Sequence, residues 1–122
     1  MSYDPMKIQE LLKVAETGSL TKKERAQARE QIGAYYAKKL SGLQENLFAV
    51  LEKRHTGALD PFEIDAYIHR YHKQSQELYI YMNHRSLSND NLPRWLRDMD
   101  DDERGMRVWQ PETELQDEEA QS

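Results

Sequence analysis

Apolar residues recur at helical spacing near the start of the chain. Four of them lie one to three positions apart on what would be one helix face: Ile8, Leu11, Leu12 and Ala15. This spacing is typical of a short amphipathic helix. Asp4 can cap its first turn, and Pro5 suits the first helical position because the N–H that proline lacks would have no partner there. We expect this helix to end at Gly18 in a left-handed conformation.

A longer pattern follows from Thr21 to about residue 55. Thr21 with Glu24 three residues later is a capping box, which is typical of a helix start. Beyond it the apolar positions are three or four apart: Ile32, Tyr36, Leu40, Leu43, Leu47 and Val50. The pattern predicts one helix of more than about 30 residues. Two helices broken at Ser41-Gly42 are the alternative, because glycine disfavours a helix interior by about 1 kcal/mol.

The strongest local signal is Asp60-Pro61-Phe62-Glu63, which combines a capping Asp, Pro at the first helical position and Glu at the third. Six positions then continue at spacings of four and three: Ile64, Ile68, Tyr71, Ser75, Leu78 and Met82. A second long helix reaching about Asn83 is expected. Two long amphipathic helices joined by a short loop predict an antiparallel hairpin.

The remainder of the chain is polar. Residues 84–92 favour turns, and residues 93–97 can form one or two helical turns that dock on the hairpin. We therefore predict an all-α domain over residues 1–109, with a short N-terminal helix and a short C-terminal helical element beside the hairpin. Residues 110–122 are expected to form a disordered acidic tail, because they have almost nothing apolar to bury.

Composition narrows the classes of function. Leu, Ile, Val and Phe make up 23 of 122 residues, close to the range where disorder begins, which argues against a large enzyme core. The absence of Cys excludes disulfides, zinc–thiolate sites and Cys nucleophiles. No apolar run approaches the roughly 20 residues of a membrane span, and the N-terminus has no apolar signal core. We expect a cytoplasmic protein without membrane contact.

The net charge of −5 is unevenly distributed. Residues 98–122 contain ten acidic residues and two arginines, a net charge of −8, whereas residues 1–97 have a net charge of +3. The acidic tail is interpreted as a solubility element. The alternative is an autoinhibitory segment that folds back on a basic patch. That patch would be formed by Lys22, Lys23, Arg25 and Arg29, which could contact nucleic-acid phosphates, although a solvated face is the simpler interpretation.

A candidate metal site lies on the second long helix. Asp65, His69 and His72 fall within an arc of about 60° on one helix face. One carboxylate and two imidazoles could share a divalent metal such as zinc or iron. The competing interpretation is an ordinary solvated face. No other cofactor is indicated, and phosphate-binding or nucleophile motifs are not found in the sequence.

Tyrosine is more frequent than phenylalanine, with seven against two. Four tyrosines fall on the second long helix: Tyr67, Tyr71, Tyr79 and Tyr81. They can pack within the hairpin or, since Tyr is enriched at interfaces, contact another protein.

The stretch from Leu59 to Asp65, with residues 69–72 and 77–79, resembles a segment of small, uncharacterised bacterial helical proteins. The resemblance implies a helical hairpin and no activity.

The leading hypothesis is a non-enzymatic helical protein-interaction or regulatory module that forms a homodimer. A metal-binding protein using Asp65, His69 and His72 is the alternative. A nucleic-acid-binding protein masked by its own tail is the second alternative.

Overall fold

The computed structural model describes residues 2–106, 108 and 109, and the predicted tail at residues 110–122 lies outside them. The described residues form four α-helices and no strand, so the all-α prediction is confirmed. The helices are α1 (Pro5–Thr17), α2 (Lys22–Glu52), α3 (Pro61–Asn83) and α4 (Leu92–Glu103), and a 3₁₀ helix (Lys53–Thr56) follows α2 directly. None of these helices is long and apolar enough to cross a membrane.

The predicted helix starts are confirmed by their hydrogen bonds. The Asp4 carboxylate accepts from two first-turn N–H groups of α1, at 3.1 and 3.3 Å. The Glu24 N–H donates to the Thr21 hydroxyl at 3.1 Å, and the Thr21 N–H donates to the Glu24 carboxylate at 2.9 Å. Asp60 and Glu63 form the same reciprocal pair, at 2.8 and 3.2 Å. Each pair satisfies N–H groups that a helix start leaves without an intrahelical partner.

The structure tests two expectations about glycine, one at Gly42 within α2 and one at Gly18 after α1. α2 runs unbroken through Ser41 and Gly42, so the longer-helix prediction is confirmed and the two-helix alternative is wrong. The left-handed end predicted at Gly18 is also wrong, because its φ of −173° is extended backbone. Two described glycines have positive φ: Gly105, with φ 84°, which follows α4, and Gly57, with φ 73°, which ends the 3₁₀ helix. At Gly57 the chain turns in a left-handed conformation, which glycine adopts without the strain that a side chain would add.

The described residues fall into two compact units. The first contains α1, the part of α2 up to Lys38, and the chain from Asn83 through α4. Its fully buried large side chains come from all three helices: Ile8, Tyr35, Leu92, Trp95, Leu96 and Met99. α4 packs against α1, and it is a 12-residue helix where the sequence predicted one or two turns.

Polar contacts connect the beginning of the chain to α2 in this first unit. The side-chain carbonyl of Gln31 accepts from the Asp4 N–H at 2.7 Å, and its amide nitrogen donates to the Ser2 carbonyl at 3.2 Å. The Tyr35 hydroxyl donates to the Asp102 carboxylate of α4 at 2.9 Å. Because Gln31 and Tyr35 are buried, these bonds satisfy groups that water does not reach.

The second unit contains Lys39–Met82. Leu47 and Val50 at the end of α2 form an apolar cluster with Tyr67 of α3, and three partly buried side chains pack against it: Leu51, Leu59 and Tyr71. The buried residues of α3 are Tyr67, Gln74, Leu78 and Met82. The apolar face predicted from the sequence included Ile68, which is 42% exposed. The face of α3 that is buried is therefore rotated away from Ile68, toward Tyr67 and Gln74.

We predict that Asp60→Ala destabilises the protein by about 1 kcal/mol, because it removes the side-chain acceptor at the start of α3. Urea unfolding followed by circular dichroism measures the change. Glu45→Ala, which removes an exposed carboxylate from the interior of α2, is the control and should change the free energy of unfolding by less than about 0.5 kcal/mol. Equal losses in both variants would contradict the capping role.

Candidate functional site

The outer face of α3 is the first candidate site. Eight exposed side chains define it: Phe62, Asp65, Ile68, His69, His72, Gln76, Tyr79 and Ile80. At 100° per residue they fall within an arc of roughly 120°, on the side of α3 opposite its buried residues. The helix is thus apolar on its buried side and carries further apolar residues on its exposed side.

The predicted metal residues all lie on this outer face. His69 Nε2 is 3.3 Å from the Asp65 carboxylate, and both side chains are largely exposed. His72 is exposed one turn further on. Among the residues that the structure describes, no three His, Cys, Asp or Glu side chains are grouped so that they could hold a metal ion. Asp65 and His69 therefore come together as an exposed pair one turn apart, which is common on solvated helix faces.

The four tyrosines proposed for an interface are placed in different environments. Tyr67 is buried in the apolar cluster, with the Arg70 guanidinium 5.3 Å from its ring centroid. Tyr71 packs at the edge of the same cluster, and Tyr81 is half-buried. Tyr79 is the one of the four that lies on the outer face. The buried environment of Tyr67 makes it part of the internal packing of this unit.

The two most exposed apolar side chains of the outer face were not among the residues predicted from the sequence. Phe62 is 87% exposed and Ile80 is 66% exposed. They are eighteen residues apart, about five helical turns, and therefore lie on one line along α3. The separation of eighteen residues, which places both side chains in the same direction from the helix axis, could have revealed this line of apolar residues. Phe62 was instead interpreted as part of the capping sequence, and Ile80 was assigned no role.

The basic residues proposed for nucleic acid do not form a uniform patch. Arg25 donates to the Leu20 carbonyl at 2.9 Å. Arg29 donates to the Leu87 carbonyl at 3.0 Å and to the Asn89 side chain at 2.8 Å, and so holds the loop before α4. Two of the four cations thus have structural contacts, while Lys22 and Lys23 are exposed.

A groove in the first unit is the second candidate site. It lies between α1 and α4, and its volume is about 560 Å³. Six charged side chains from the two helices line it: Glu10, Lys13, Glu16, Arg97, Asp101 and Arg104. Asp100 also lines the groove and is only 4% exposed. Neither the groove nor the burial of Asp100 was anticipated, because a run of acidic residues usually lies on a solvated surface.

The acidic residues at the end of α4 also affect the pKa of Tyr3. Burial raises the pKa of the Tyr3 phenol from 10.0 to about 12, and the carboxylates of Glu103, Asp102 and Asp100 add to the rise. Lys38 contacts both Tyr3 and Glu103: its ammonium lies 4.8 Å from the Tyr3 ring centroid and 3.6 Å from the Glu103 carboxylate. Tyr3 therefore keeps its proton in neutral and mildly alkaline solution.

Comparisons of the chain with family models, curated proteins and solved structures found no match. Function is therefore inferred from the surfaces of the chain itself.

The pKa of Tyr3 predicts a loss of stability in alkali. Between pH 10 and pH 12 the unfolded chain releases the phenol proton while the folded chain retains it, so the free energy of unfolding falls as the pH rises. Tyr3→Phe keeps the ring and should reduce this fall, as measured by urea unfolding at neutral pH and at about pH 11. Tyr79→Phe on the exposed face is the control. An identical alkaline loss in both variants would count against this role of Tyr3.

Proposed function

We propose that the protein is a non-enzymatic interaction module that pairs with a second copy of itself through the outer face of α3. The observation that carries the proposal is the exposure of Phe62, Ile68, Tyr79 and Ile80 on one side of a single helix. Apolar side chains grouped in this way on a water-exposed surface are typical of protein-interaction sites.

The spacing on this face favours a second copy as the occupant. Phe62 and Ile80 lie in the same direction from the helix axis, about 27 Å apart along it. In an antiparallel pair whose two-fold axis crosses the outer face midway between these two residues, at the height of residue 71 along α3, Phe62 of each copy meets Ile80 of the other. The two apolar contacts are then equivalent, as a two-fold interface requires.

The proposal includes an antiparallel hairpin of α2 and α3. Contact between residues at the end of α2 and the first turns of α3 supports it, through Leu47, Val50 and Tyr67. The hairpin would bury the inner face of α3 and leave the outer face for the partner. Two such hairpins form a four-helix arrangement in which each α3 packs on both sides.

The two alternatives receive less support from the geometry. The metal hypothesis has one exposed Asp65–His69 pair and no third ligand beside it among the described residues. The nucleic-acid hypothesis loses two of its four cations to contacts with Leu20, Leu87 and Asn89. Neither the Asp65–His69 pair nor the basic residues of α2 form an apolar surface comparable to the outer face of α3.

We predict that Phe62→Ala combined with Ile80→Ala weakens self-association at least tenfold. The double substitution removes the two most exposed apolar side chains of the outer face, a loss of more than about 1.4 kcal/mol. Sedimentation equilibrium over a range of concentrations measures it, with the wild-type chain approaching twice 14.4 kDa. Circular dichroism should show unchanged helix content, because both residues are exposed.

Phe48→Ala is the matched control, since Phe48 is an exposed aromatic residue on α2. Its dimerisation constant should equal that of the wild type. A wild-type chain that stays at 14.4 kDa at high concentration would overturn self-association. Dissociation by Phe48→Ala but not by the double variant would show that a different face forms the interface.

A further inference from the structure

The outer face of α3 carries two histidines beside its apolar side chains. His69 and His72 are both exposed, and they lie within the same arc of the helix as Phe62 and Ile80. Histidine is the side chain that ordinarily changes its charge between pH 5 and 8. A contact made through this face therefore includes side chains that can gain positive charge in mild acid.

The two histidines lie at the middle of the face in the direction of the helix axis. With a two-fold axis at the height of residue 71, position 69 of one copy lies opposite position 73 of the other, and position 72 lies opposite position 70. The four imidazoles of an antiparallel pair then fall within about 6 Å along the helix axis. His69 is about 20° from the line of Phe62 and Ile80, and His72 about 80° from it on the same side. His69 therefore lies in the contact and His72 at its edge.

The other charged side chains around this point cancel one another. Asp65, 3.3 Å from His69 on the same helix, supplies one negative charge. Lys73, exposed one turn beyond His69, supplies one positive charge. Arg70 and Glu77 have opposite charges and lie half-buried on the other flank of the line. The α3 of the partner presents the same set, so no excess of negative charge is left to neutralise additional positive charge from the histidines.

We propose that mild acid dissociates the α3 pair and that His69 and His72 are the groups that respond to the pH, an inference that rests on the proposed self-pairing. In separate chains a protonated imidazole on this face is solvated by water. In the pair it is partly removed from water and lies near other imidazoles and near the partner's Lys73, both of which disfavour its charged form. The paired state thus binds fewer protons than two separate chains, so its association constant falls as the pH falls.

Sedimentation equilibrium of the full-length protein tests the proposal at about pH 8 and about pH 5.5, both at an ionic strength of about 0.15 M. The dissociation constant of the pair should be at least tenfold larger at the lower pH. In about 1 M salt this ratio should shrink, because charges about 6 Å apart are then separated by more than the Debye length of about 3 Å. Circular dichroism at both pH values should show the same helix content.

The double variant His69→Gln/His72→Gln keeps polar side chains that do not titrate. Its dissociation constant should be the same at both pH values, within about a factor of three. His84→Gln is the matched control, because His84 is also exposed but follows α3 and belongs to the first unit. This variant should retain the wild-type ratio.

The outcomes separate the pH response from the self-pairing on which it rests. A wild-type pair that is equally tight at both pH values would overturn the pH response and leave the pairing intact. A chain that stays monomeric at about pH 8 would overturn the pairing and the pH response together. Retention of the full acid effect in the double variant, or its loss in His84→Gln, would overturn the role of His69 and His72.

Discussion

The continuity of α2 is the constraint on which both compact units depend. Its first half supplies Ile32 and Tyr35 to one unit, and its second half supplies Leu47 and Val50 to the other. Gly33 and Gly42 lie in this helix, and a Cβ at either would meet nothing within 4 Å, so neither is needed for a close approach of another helix. Their cost of about 1 kcal/mol each is outweighed by packing at both ends, because most helical stability in proteins comes from tertiary contacts.

Local signals in the sequence were sufficient to predict where the helices begin. The pairs Thr21–Glu24 and Asp60–Glu63 act over three residues, and nothing distant competes with them. The buried face of α3 was harder to predict, because Ile64–Ile68–Tyr71 and Tyr67–Tyr71–Gln74 are both helical spacings. Hydropathy favoured the one with two isoleucines, yet the structure buries Tyr67 and Gln74. Which of two neighbouring helix faces is buried depends on the residues that pack against the helix. Those residues are distant in the sequence, so local spacing does not reveal them.

Neither candidate site follows from composition. α4 contains a run of acidic residues that predicts a solvated surface, but Asp100 falls in phase with the buried Leu92, Trp95, Leu96 and Met99 of the same helix. The sequence predicted helical turns only over residues 93–97, so it did not show that Asp100 lies on the buried side of α4. The two sites also lie in different units and have different chemistry. One is a helix face with exposed apolar side chains, and the other is a groove lined mostly by charged side chains.

The side chain of Gln31 has a consequence for how the chain begins. Its carboxamide accepts from the N–H of Asp4 and donates to the carbonyl of Ser2. In a parallel β-bridge, a neighbouring backbone makes these same two bonds around the residue between them, here Tyr3. A single glutamine thus replaces one residue of a β-strand and fixes the register of the chain before the first helix. Glutamate has no donor and leucine has neither group, so neither could hold both ends of this bridge.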